Sequence, residues 1–80
     1  ELSLEEVGQY IAHRLTVAGA RENFFTAEAM RRIYELSSGI PRVINVLADR
    51  ALLAAYAKST TVIDPVLVEC AEADLEGVTV

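Results

Sequence analysis

Apolar residues along this chain recur mostly three and four positions apart, and four stretches keep that period long enough to form helices. In the first, Leu4, Val7, Ile11, Leu15 and Ala18 line one face, with Glu5, Gln9, His13 and Thr16 elsewhere. Ser3 followed three residues later by Glu6 is a capping box, Leu2 and Val7 hold the positions of a hydrophobic staple, and Gly19 supplies the stop. The pattern predicts a helix over about 4–18.

A polar loop, Ala20-Arg21-Glu22-Asn23, leads to Phe24-Phe25 and the N-cap candidate Thr26, with Phe25 placed to staple onto Met30. Ala29, Ile33 and Leu36 then mark a short helix over about 27–37. Ser38-Gly39 closes it, with Ile40 placed to fold back on Tyr34, while Arg31 and Arg32 lie off the stripe on what reads as a solvated face.

Pro41 opens the longest helix, about 41–58, in which Ile44, Leu47, Ala48, Ala51, Ala54 and Ala55 converge on one side. Small residues there permit close helix approach. At 100° per residue the opposite side carries Arg42, Asn45, Val46, Asp49, Leu53 and Tyr56, a strip too apolar for plain solvent exposure and hence a candidate docking face.

Ser59-Thr60-Thr61-Val62-Ile63 reads as an extended connector rather than part of a sheet, because no second strand is evident to pair with it. Asp64 and Pro65 then restart a helix over about 65–75, with Ile63 and Val68 as staple and Val66, Leu67, Cys70 and Ala73 expected to face inward. Gly77 is expected to end it. The fold class that follows is all-α, a small four-helix bundle over residues 1–76, with 77–80 as a tail or the start of a linker.

Eighty residues bound this to one small domain, and a 52 % apolar share is more than a lone bundle of that size readily hides. The expectation is a piece of a larger protein with one face docked on another domain. A formal charge of −5 and the lack of any basic tract argue against autonomous binding to nucleic acid or an anionic membrane, although single phosphate contacts stay open. Cys70, the sole cysteine, excludes an internal disulfide framework and is expected to be a buried structural thiol in a reducing, cytosolic setting. No apolar run approaches the ~18 residues of a membrane span, and Glu1-Leu2-Ser3-Leu4-Glu5-Glu6 is not a signal peptide, so a soluble, intracellular chain is expected.

Catalytic motifs are absent: there is no GxxxxGK[ST] phosphate loop, no GxGxxG, no HExxH and no nucleophile elbow. His13 alone cannot build a metal site and is expected at the surface. What stands out is Arg42. It sits in the first turn of its helix, where the macrodipole disfavours a cation by about 0.3–1 kcal/mol. Ile40 occupies the cap position, so no side chain serves the first backbone N–H groups. Those donors and a guanidinium beside them describe a place for an anion, with a phosphate oxygen the physical guess. The competing reading is an Arg42 that pairs with Asp49, or with the carbonyls ending the second helix, and pins the corner.

The run Gly39-Ile40-Pro41-Arg42-Val43-Ile44-Asn45-Val46-Leu47 resembles the sensor 2 motif in the helical lid of AAA+ ATPases. Tyr10-Ile11-Ala12-His13-Arg14-Leu15 with Ala18-Gly19, Phe25 with Ala29 and Ile33, and the closing Ala71 to Leu75 extend the likeness to the lid of bacterial general secretion pathway protein A ATPases and their pilus-biogenesis relatives. The resemblance covers about residues 2–76. It implies that Arg42 is the catalytic, γ-phosphate-sensing arginine, and that Gly39, Ile40, Pro41, Arg42 and Asn45 form the nucleotide-facing set. It also implies ATP and Mg2+ held mainly by an upstream P-loop domain, no metal in this segment, and no catalysis by this segment alone.

The partners so implied are that P-loop domain, neighbouring AAA+ subunits, and secretion or pilus assembly proteins on the cytoplasmic side of the inner membrane, with no membrane contact by this segment. Arg14 is either a contact to a neighbouring subunit or a plain arginine at the rim of the core. The alternatives are the lid of a clamp loader, transposition helper or replication initiator, and a non-enzymatic helical adaptor with a corner like a helix-turn-helix. Asp49 on the candidate face and the Ala-rich third helix speak against a major-groove reader.

Overall fold

The computed structural model describes residues 1–20 and 22–78, with side chains described as far as Ala73. Its elements are α1 (Leu4–Val17), α2 (Ala27–Ser37), α3 (Pro41–Ala57) and α4 (Pro65–Val78), an all-helical bundle. The least dimension of the chain is 20 Å, which fits two layers of helices. α2 touches each of the other three helices, α3 and α4 share the most extensive contact, and α1 lies mainly along α2.

Three of the helices, α1, α2 and α4, start where a capping side chain directs. Glu6 N–H donates to Ser3 Oγ at 3.2 Å and Ser3 N–H donates back to Glu6 Oε1 at 2.9 Å, closing the capping box. The Ser3 backbone N–H, and then its side chain, hold the Glu6 carboxyl below the usual carboxylate range. Thr26 Oγ1 accepts from Ala29 N–H at 3.0 Å, and Asp64 Oδ1 accepts from Leu67 N–H at 2.9 Å. α1 stops at Gly19 (φ 90°), with Ala20 N–H returning to Leu15 O at 2.9 Å.

One core joins the layers: Val7, Ile11 and Leu15 of α1, Ala29 and Ile33 of α2, Ile44, Leu47, Ala48, Ala51 and Ala55 of α3, and Leu67, Val68 and Ala71 of α4. Leu36 and Ala54, expected inside, are half-buried, and Ala18 at the end of α1 is exposed. Phe25 and Ile63 complete the core from the two connectors. They also form a single parallel bridge, with Ile63 N–H donating to Phe24 O at 2.8 Å and Thr26 N–H to Ile63 O at 3.0 Å. The Ser59–Ile63 connector is not part of a sheet, as expected, although its last residue pairs with Phe25 through this one bridge. Buried side chains draw both connectors inside, where the backbone groups must pair with each other.

The inward face of α4 differs from its expected phase. Leu67, Val68 and Ala71 are buried, whereas Val66, Cys70 and Ala73 are exposed. The staple explains the rotation: Ile63 is fully buried, and Val68 opposite it turns its own side of the helix inward. Val66 and Cys70 lie about 160° away from Val68 and must face out. Cys70 is thus a surface thiol rather than a core one. α4 also continues through Gly77 to Val78 instead of stopping at Gly77, and the rest of the expected tail, like Arg21 of the first loop, lies outside the described residues.

Candidate functional site

The corner between α2 and α3 is built from two successive residues in left-handed backbone conformation, Ser38 (φ 54°) and Gly39 (φ 77°). Ser38 N–H donates to Tyr34 O at 2.9 Å and Ile40 N–H to Ser37 O at 3.1 Å, so the last carbonyls of α2 are partly satisfied from within the turn. Ser37 is buried, and its Oγ accepts the Gly39 N–H at 3.2 Å. The chain leading into α1 crosses this turn: Leu2 N–H donates to Gly39 O at 2.7 Å. A Cβ on residue 39 would collide with the Leu2 backbone, so both its φ and its surroundings require glycine here. Ile40 is 36 % exposed.

α3 begins as the sequence indicates, with Ile40 at the cap position, no side-chain cap bond, and Pro41 in the first turn. Fewer amides are free than the missing cap suggests. Pro41 has no N–H, and both Val43 and Ile44 donate to Ile40 O at 3.0 Å. Among the described residues, this leaves the N–H of Arg42 itself without a backbone acceptor. The Arg42 side chain is exposed and has no hydrogen bond or ion pair among the described residues.

The competing reading of Arg42 needed Asp49 or the α2 carbonyls. Asp49 is instead engaged by Arg14, Nη2 to Oδ1 at 3.4 Å, with both side chains about half exposed. Arg14 therefore serves at the rim between α1 and α3, in a pair worth little in free energy at such exposure. Arg32, expected to be simply solvated, bridges helices: Nε reaches Glu69 Oε2 on α4 and Nη1 reaches Glu35 Oε1, both at 3.2 Å.

Of the expected site residues, the corner brings Gly39, Ile40, Pro41 and Arg42 together by chain continuity, with Arg42 and Asn45 on adjacent turns of one face of α3. Asn45 is half-buried, and its Oδ1 accepts from the Tyr10 hydroxyl at 2.7 Å. A tyrosine on α1 and an asparagine 35 residues later carry no pairing signal without the fold. His13 is exposed, as expected, and no group of acidic, histidine or cysteine side chains among the described residues could hold a metal.

Three depressions lie along α1 among the described residues. One of about 70 Å3, between α1 and α3, is lined by Ile11, Leu15, Ala48 and Leu52. A second, at the end of the helix, is lined by Ala12, Leu15, Thr16 and Ala20. The third, about 400 Å3, is bordered by Tyr10, His13, Arg14 and Val17. None of them includes Arg42. At the corner itself the exposed Arg42 guanidinium and the Arg42 backbone N–H stand together at the helix start.

Fold and corner together define a four-helix module with an unpaired arginine at a glycine-locked helix start. The chain is similar to general secretion pathway protein A of Aeromonas hydrophila, 46 % identical over 59 residues, which is 74 % of this chain and 11 % of that protein. It thus spans about a tenth of the length of that relative. No family model matches the chain, and no solved structure matches it.

Proposed function

We infer that this chain is the helical lid of a longer AAA+-type ATPase, closing over ATP held by a P-loop domain and sensing its γ-phosphate through Arg42. The observation that carries the reading is Arg42 itself. It stands in the positive first turn of α3, exposed, with its most obvious internal partner, Asp49, engaged by another arginine. A charged group in an unfavourable position without an internal partner is accounted for by an anion supplied from outside. ATP with Mg2+ is the ligand that the motif resemblance indicates.

The exposed Val46, Leu53 and Tyr56 of α3 supply apolar surface for the nucleotide-binding domain, which favours a lid over a self-sufficient binding site. The similarity to a protein named for the general secretion pathway favours a role in assembling a secretion or pilus system. Arg42 binds the triphosphate state better than the diphosphate state, so loss of the γ-phosphate changes the preferred lid position, and neighbouring subunits or partners receive that change. In the full-length parent protein, Arg42→Ala lowers ATP turnover or apparent ATP affinity by about tenfold or more, the loss of one charge-assisted bond. Steady-state ATPase kinetics indistinguishable from the unsubstituted enzyme contradict the sensor role.

A further inference from the structure

We propose that Tyr10 is a positioning residue for the Arg42 corner: it holds the Asn45 amide so that its NH2 group is offered, beside the Arg42 guanidinium, to one anionic group. The proposal rests on the reading of the corner as a triphosphate sensor and adds a device that this reading does not contain. A side-chain amide has two faces of opposite polarity, one accepting and one donating. Left to rotate, Asn45 would present its oxygen to an incoming phosphate in part of its population, and oxygen against oxygen repels.

The 2.7 Å bond from the Tyr10 hydroxyl occupies Oδ1 and removes that choice. What remains is the Nδ2 group, which has no hydrogen-bond partner among the described residues and is not a buried orphan. Arg42 and Asn45 are three residues apart on α3, neighbours on one helix face, so the charged and the neutral donor can converge on the same ligand. Tyr10 is itself anchored in α1, whose leading segment is tied to the corner by the Leu2 to Gly39 bond. The backbones of α1 and α3 make little direct contact, and beside their shared apolar core Tyr10–Asn45 and Arg14–Asp49 are the side-chain hydrogen bonds between them among the described residues. Of the two, only the Tyr10 bond is short and part-buried.

The test uses the full-length parent protein and measures equilibrium binding of a non-hydrolysable ATP analogue and of ADP, with thermal unfolding followed in parallel. Tyr10→Phe keeps the ring and removes the hydroxyl. It is expected to weaken ATP-analogue binding about three- to tenfold, the range for one neutral hydrogen bond, and to leave ADP binding unchanged. Adding Asn45→Lys to Tyr10→Phe restores the analogue affinity, because an ammonium donates in every rotamer and needs no orienting partner. Equal loss for both nucleotides, or no recovery with Asn45→Lys, makes Tyr10 merely structural and overturns the proposal. Unchanged analogue binding in Tyr10→Phe overturns it as well, and if Arg42→Ala weakens the analogue in the same assay, the sensor reading survives. Should Arg42→Ala also leave analogue binding unchanged, both the sensor reading and the role of Tyr10 fall.

Discussion

At the scale of single residues, Gly39 and Arg42 divide the labour of the corner. Gly39 accepts a left-handed backbone, lets Leu2 cross against it, and takes a hydrogen bond from that segment, so the start of α3 is fixed relative to α1 before any ligand arrives. Gly19 has a similar dihedral but nothing near the place a Cβ would occupy. The two glycines therefore separate strain from collision. Gly19→Ala costs about 1–2 kcal/mol through its backbone alone, whereas Gly39→Ala must also displace the Leu2 backbone and costs more than about 3 kcal/mol; urea unfolding of the two variants side by side measures the difference. Equal losses would mean that the Leu2 crossing contributes nothing. Arg42 makes the opposite kind of contribution: with no partner among the described residues, its removal leaves the fold nearly unchanged and alters only what the corner can bind.

At the scale of elements, side-chain caps written in the sequence start α1, α2 and α4, and Pro41 starts the uncapped α3. Ser3, Thr26 and Asp64 cap as their residue types require. The phase of α4 differs from its apolar pattern because Val66 and Cys70 are about as apolar as Val68, and apolarity alone does not choose among them. The Ile63–Val68 staple chooses, and it was already legible. The Phe25–Ile63 bridge, the Leu2–Gly39 crossing and the Tyr10–Asn45 bond were not legible, since each joins residues far apart in the chain that only the assembled fold brings together. Of the corner, the Gly-Ile-Pro-Arg punctuation and the missing cap could be read directly, but the Val43 and Ile44 bonds to Ile40 O, which leave a single free amide, could not.

Close packing of α3 follows from its alanines. Ala51 is fully buried, so Ala51→Leu overfills the bundle and costs about 1–3 kcal/mol or more. Leu53→Ala on the exposed side of the same helix stays within about 0.5 kcal/mol. Thermal unfolding of both variants checks this, and a comparable loss for Leu53→Ala would place that face in the core after all.

At the scale of the whole molecule, the chain combines a net charge of −5, a sealed small core and a helix face that still shows Val46, Leu53 and Tyr56 to solvent. No helix among the described residues is long and apolar enough to cross a membrane. The proposed lid role makes the α2–α3 corner its point of contact with nucleotide and α1, through Leu2 and Tyr10, the element mechanically nearest that point. The most direct test is amide hydrogen exchange over residues 39–45 in the full-length parent protein, compared between a bound ATP analogue and bound ADP. The account predicts slower exchange at the Arg42 end of α3 with the analogue than with ADP, and loss of that difference in Arg42→Ala. Identical exchange at the corner in the two nucleotide states would contradict it.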